Sequence, residues 1–204
     1  MESEYITSLD ELRLLYPEPG ERAVRKQLAQ LDPHCRRFIS LSPFVVIGTG
    51  SREHALDASP RGGEPGFVRV VDDQTLWIPD APGNNRLDSL TNIVATGRIA
   101  LLFLIPGVDE TLRVNGAARL STSMEKREEM RSAKRVPNLL IEVTVKEAFL
   151  HCAKALMRSR LWSPDARQAR TILPTLGAML ADQTGIAGAA ESQEQMVARY
   201  QKDL

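Results

Sequence analysis

Between residues 43 and 145 the chain is a run of short apolar or β-branched segments, each closed by a turn signal. This spacing constrains the fold more than any other feature. Residues 43–49 read as a strand, 50–54 as a polar turn and 56–59 as its continuation. Residues 68–71 and 75–79 flank Asp72-Asp73-Gln74, a hairpin pattern. Residues 99–105 and 111–120 flank a Pro-Gly-Val-Asp turn, and 139–145 follows a charged helix expected at 124–133. Short strands at this spacing predict a barrel rather than a parallel sheet. One helix, at 85–96, interrupts them. The fold class expected is therefore mainly β with flanking helices.

The flanks carry helix signals. Ser8 and Glu11 have capping-box spacing, with Leu9, Leu12 and Leu15 behind them. Pro17-Glu18-Pro19-Gly20 ends that helix, and a second is expected over 21–31. Asp32-Pro33 supplies an N-cap and a first-turn proline for a third. Helical patterning returns at 149–160, 172–184 and 193–202, with 185–190 small and flexible, so that the last helix is loosely attached. The expected organisation is N-terminal helices over 1–36, a barrel domain over 37–162 and a helical extension over 163–204.

Composition removes several function classes. With 26 basic and 26 acidic residues there is no cationic excess for nucleic acid, and 5% aromatics is too few for a base-stacking platform. Cys35 and Cys152 are the only cysteines, which is no disulfide framework and suits a reduced, cytoplasmic compartment. The start, Met1-Glu2-Ser3-Glu4-Tyr5, lacks the basic and apolar regions of a secretory signal. The apolar run 99–105 is too short to span a bilayer.

Three segments could carry chemistry. In 57–68, prolines and glycines predict a rigid loop on which Ser59 and Arg61 offer a hydroxyl and a planar cation. These could hold an oxygen-rich anion, or Arg61 could simply pair on the surface. In 79–90 a strand passes through a turn into a helix start, placing Asn84, Asn85 and Arg86 at its mouth. A phosphate there would gain backbone and guanidinium donors, while ordinary capping is the alternative. In 147–162, His151 and Lys154 would share a helix face that ends near Trp162. No ligand set there has metal spacing. Cys152 has no base beside it in sequence, and no catalytic residue is identifiable.

In this order the segments resemble the pyridoxamine 5′-phosphate oxidase-like FMN-binding proteins. The similarity is to a bacterial subgroup with a Ser-Pro-Arg-Gly loop, a Pro-Gly-Asn-Asn-Arg-Leu-Asp-Ser-Leu stretch and a His-Cys-Ala-Lys-Ala-Leu helix, here beginning at Ser59, Pro82 and His151. The resemblance implies an FMN-binding split β-barrel and a homodimer with two cofactor sites at its interface. It places Ala58, Ser59 and Arg61 beside the flavin, and Ile78, Pro79, Asp80, Asn85 and Arg86 along the ribityl chain and phosphate. Glu110 and Thr111 would approach the ring from the other subunit, and Lys154, Ser159 and Trp162 would lie on the arm that closes the site. Gly63 departs from the aspartate usual in that loop. The arginine–histidine pair that grips substrate phosphate in true pyridoxamine phosphate oxidases is missing. The expected function is thus an FMN-dependent oxidoreductase of unnamed substrate, with no nucleic-acid or membrane partner. A non-catalytic module holding flavin, haem or deazaflavin is the alternative, with His151 as the axial ligand a haem would need.

Overall fold

A computed structural model of the protein describes residues 4–186 and 191–201. Its centre is one seven-stranded antiparallel sheet: β1 (Phe44–Gly50), β2 (Leu56–Gly62), β3 (Arg69–Val70), β4 (Thr75–Pro79), β5 (Arg98–Leu104), β6 (Thr111–Ser121) and β7 (Leu140–His151). The strand order is β2-β1-β5-β6-β7-β4-β3.

The expected mainly β barrel does not form. The sheet is open, with β2 and β3 as edges that each pair on one side only, and the fold is mixed α/β. Closing a sheet requires its two edges to hydrogen-bond. Here β3 is two residues long, and β2 carries Pro60, which has no N–H to give.

Helix starts follow the sequence signals. In α1 (Leu9–Leu15) the Ser8 side chain and Glu11 form the capping box. In α3 (Pro33–Leu41) Asp32 accepts from the Cys35 N–H at 2.7 Å. The helix expected over 21–31 is shorter. It is α2 (Glu21–Arg25), after which Leu28 bridges to Ala148 and the Leu31 N–H bonds Asp73 O at 2.7 Å. Sheet pairing of those backbone groups wins over helix continuation. The remaining helices of this part are α4 (Asp88–Thr96) and α5 (Met124–Glu129).

The core lies on one sheet face. Val45 and Ile47 of β1, Leu101 and Phe103 of β5, Leu112 and Val114 of β6, and Ile141 and Val143 of β7 are buried against Cys35, Phe38 and Ile39 of α3 and Leu90 and Ile93 of α4. Each such side chain contributes about 1.5–3 kcal/mol on burial. Between Asn115 and Gly116 the β6–β7 register shifts by a bulge, and a Cβ on Gly116 would stand 2.2 Å from the Thr144 carbonyl oxygen. Only glycine lets the two backbones approach this closely.

By compactness the chain divides in two. Residues up to Ala81 together with Leu87–Ala153 form the unit just described; Pro82–Arg86 and the residues from Lys154 onward form the other. The second unit holds α6 (Lys154–Ser159), 3₁₀ turns at Pro164–Ala166 and Arg170–Ile172, α7 (Leu176–Thr184) and α8 (Gln193–Tyr200). None of its described residues is fully buried. The helix expected from 172 starts at Leu176 because Pro174 cannot sit inside it. Residues 1–3, 187–190 and 202–204, which include the opening of the N-terminus, most of the expected flexible stretch and the end of the last expected helix, lie outside the described residues. Among the described residues no helix is long and apolar enough to cross a membrane.

Candidate functional site

The segment read as a tight loop over 57–68 is a strand as far as Gly62. Its prolines and glycine read as breakers, but an edge strand tolerates them. Alternation then sorts the candidates. Asp57, Ser59 and Arg61 are half-buried on one face, while Ala58 and Pro60 are exposed on the other, so Ala58 and Ser59 point in opposite directions. The Arg61 guanidinium donates to the Ser59 hydroxyl and to the Pro60 carbonyl at 3.0 Å. Asp57 anchors the strand by accepting from Ser89 Oγ of α4 at 2.6 Å. Beyond the strand, a Cβ at Gly63 would lie 2.7 Å from the Phe67 Cβ. Glycine there leaves room for the Phe67 ring, a packing role for the departure seen in sequence.

At the end of β4, Ile78 is fully buried in the core, so only its backbone can reach a ligand. The Asp80 N–H bonds Leu139 O at 3.1 Å, fixing Asp80 beside the start of β7. Burial pushes the Asp80 carboxyl above its ordinary range, and the positive charges of Arg61 and Arg135 pull it partly back. Ser59 and Arg61 meet on the half-buried face of β2.

Other candidates are not brought to that point within one chain. Arg61 is opposite Val45, Val45 opposite Phe103, and Phe103 opposite Leu112, so Thr111 starts a strand three places away, about 14 Å along the sheet. Thr111 is buried opposite His151, and Glu110 just before it is exposed. His151 Nδ1 is itself buried without a hydrogen-bond partner among the described residues.

Two expectations near helix starts are corrected. The helix expected from Asn85 begins at Asp88, with Leu87 as an N-cap in the left-handed region and no side-chain cap. Asn85 is also left-handed, at φ 62°, and Asn84 Oδ1 accepts from the Arg86 N–H at 3.1 Å. Residues 84–86 thus form a turn stabilised by an asparagine side chain, not a helix mouth. The helix expected over 149–160 opens as strand: Phe149, Leu150 and His151 pair with Arg113, Leu112 and Thr111, and the helix runs only over Lys154–Ser159. His151 and Lys154 therefore share no helix face. In the second unit Lys154 opens α6 exposed, Ser159 Oγ donates to Leu156 O at 3.0 Å, and Trp162 is half-buried.

Both cysteines are free. Burial pushes the Cys35 thiol up to about 12, which removes it as a nucleophile. Among the described residues no group of His, Cys, Asp and Glu could hold a metal ion. Two surface clefts, of about 520 Å³ beside Asp32 and Asp73 and about 380 Å³ beside Glu21 and Lys26, contain none of the expected site residues. The face of β1, β2 and β5 away from the core is apolar and uncovered by the described residues: Val46, Leu102 and Leu104 are half-buried, and Phe44, Ala58 and Pro60 are exposed.

The sequence profile of the family described as pyridoxamine 5′-phosphate oxidase matches residues 31–152. The match spans more than half of the chain, which belongs to this family and so to its flavoprotein superfamily. No curated protein matches the chain. Among solved structures, HupZ of Group A Streptococcus is 18% identical, with a TM-score of 0.48 over 59% of this chain and 93% of that one. An FMN-binding protein from Syntrophomonas wolfei is 11% identical, with a TM-score of 0.46 over 57% of this chain and 83% of its own. General Stress Protein 26 from Bacillus anthracis is 14% identical, with a TM-score of 0.43 over 57% and 93%.

Proposed function

We propose that this protein is an FMN-dependent oxidoreductase whose cofactor sits at a site shared between two copies of the chain. The observation that supports the reading is the Arg61–Ser59 pair on the half-buried face of β2, inside the segment that matches the family. These residues fit a flavin. A half-buried guanidinium and hydroxyl can donate to ring or ribityl oxygens, and the Ile78–Pro79 backbone is held rigidly by β7. Arg86, with Asn85, is the candidate for the phosphate. When bound, FMN supplies the hydride or electron chemistry, and the chain supplies binding and orientation.

Glu110, Thr111, Lys154, Ser159 and Trp162 complete the site from the second copy. Two features support that assignment: the distance along the sheet from Arg61 to Thr111, and the bare apolar face of β1, β2 and β5. A two-fold axis would use that face twice.

A complementation experiment tests the sharing. Arg86→Ala and Lys154→Ala variants, each poor in FMN binding, are unfolded together in equal amounts and refolded. Random pairing makes about half the dimers mixed, and one site in each mixed dimer then carries neither defect. About a quarter of all sites should recover normal FMN affinity. No recovery, with mixed dimers verified by mass, would refute the shared site.

A further inference from the structure

Asp57 ties an edge strand to the body of the fold. β2 pairs with β1 alone, and Pro60 leaves it one backbone donor short. A strand held on one side only opens locally unless something besides its backbone bonds fixes it. Here side chains do so. Asp57 stands opposite Thr49 of β1, and its Oδ2 accepts from Ser89 Oγ of α4 at 2.6 Å and from Thr49 Oγ1 at 3.4 Å. Thr49 Oγ1 in turn accepts from Asn92 Nδ2 at 3.0 Å, three residues further along α4. Ser89 is 3% and Thr49 7% exposed, so solvent weakens these bonds little. Among the described residues, Asp57–Ser89 is the one side-chain hydrogen bond that joins β2 to an element other than β1. The anchor is firm: Leu90 and Ile93 of α4 lie in the core, and Arg52 Nε donates to Ala95 O near its far end at 2.9 Å. Asp57 and Ser89 are 32 residues apart, so this clamp has no local sequence signal.

Alternation puts Asp57, Ser59 and Arg61 on one face of β2, in register with Thr49, Ile47 and Val45. Among the described residues, Ser59 and Arg61 form side-chain hydrogen bonds only within β2. Where these two side chains stand is therefore set by where β2 stands. A strand that detaches part of the time offers this face to a ligand only in the attached fraction, and apparent affinity falls with that fraction.

We propose that Asp57 is a positioning residue. It touches no ligand; through Ser89 it locks β2 onto α4, so that Ser59 and Arg61 present a preformed binding face. This rests on the function proposed above, in which those two residues meet the flavin.

FMN titration of the full-length protein, followed by flavin fluorescence and paired with thermal melts by circular dichroism, tests it. Ser89→Ala opens the clamp without altering β2 and should weaken FMN about three- to tenfold. Losing a charge-assisted hydrogen bond shifts attachment by about tenfold or more, and part of that shift appears as detached strand. Asp57→Ala should do the same, and Asp57→Asn, which keeps an oxygen for Ser89, should lose less. In a chain that already carries Ser59→Ala and Arg61→Ala, Ser89→Ala should cause no further loss, because no face remains to position. Ile93→Val trims a buried side chain of the same helix and leaves the clamp intact; it should lower Tm and leave FMN affinity unchanged. A merely structural clamp would lower Tm in Ser89→Ala as Ile93→Val does, with the FMN affinity of the folded protein untouched, and that result would overturn the proposal. So would an equal loss from Ser89→Ala with and without Ser59 and Arg61. If wild type binds FMN and the clamp variants match it, the flavin reading stands and the positioning role falls. If wild type does not bind FMN, both fall.

Discussion

Replacing Glu142 by Gln probes the network that seats α5 on the sheet. Glu142 is 5% exposed and lies in register between Trp77 of β4 and Arg119 of β6. Its carboxylate accepts from Lys126 of α5 and from Arg119 Nε at 2.6 Å. Lys126 also sits 5.3 Å from the Trp77 ring centroid, and Arg69 ties the end of α5 through Glu129 at 2.8 Å. Each charge-assisted bond is worth roughly 1.5–3 kcal/mol when shielded. The Lys126 side chain is 32% exposed and keeps most of that, whereas Arg119 is 78% exposed, and solvent screening leaves it about 1 kcal/mol or less. The expected cost of Glu142→Gln at pH 7 is therefore about 2–3 kcal/mol, or roughly 4–12 °C in Tm. Burial alone would raise the Glu142 carboxyl, but hydrogen bonds from Lys126 and Arg119 outweigh it and hold the group below its ordinary value. The stabilisation is then complete above the unfolded-state value and is lost as pH falls through the folded-state value. Thermal melts followed by circular dichroism should show wild type and variant far apart at pH 7 and converging in acid. In a double-mutant cycle, Lys126→Ala should couple to Glu142→Gln by about 1 kcal/mol or more. A cost below about 0.5 kcal/mol at pH 7, within the range of neutral surface changes, would refute the reasoning, as would a gap that persists at low pH.

Gly116→Ala should destabilise by at least about 1–3 kcal/mol in urea unfolding, because the new Cβ would meet the Thr144 carbonyl at 2.2 Å; an unchanged midpoint would mean the bulge is absent. Iodoacetamide should alkylate exposed Cys152 and leave buried Cys35 unmodified until denaturant is added, with peptide mass spectrometry as the readout. Arg86→Ala should weaken FMN about tenfold or more and leave riboflavin nearly unchanged; equal losses would place Arg86 away from the phosphate.

Local signals in the sequence were reliable where one short-range interaction decides the outcome. The Ser8 capping box, the Asp32-Pro33 helix start and the hairpin around Asp72-Asp73-Gln74 all form as read. Failures occurred where tertiary pairing decides. Pro60 and Gly62 suggested a loop, yet β2 is an edge strand and needs N–H groups on one side only. Residues 149–151 suggested a helix, yet β6 was long enough to pair with them. Closure could not be judged from strand spacing, because it depends on whether two edges distant in sequence can bond. Ser59 and Arg61 were legible as site candidates from residue type, and Asp80 only through the family resemblance. The meeting of Ser59 and Arg61 on one face was not legible, since it needs β2 to be a strand and not a loop.

Titration of FMN with the full-length protein, followed by flavin fluorescence and visible absorption, tests the central claim most directly. The account predicts a saturable change in flavin fluorescence with a shifted visible band, ending at one flavin per chain. Flavin spectra that stay those of free FMN at every protein concentration would contradict it.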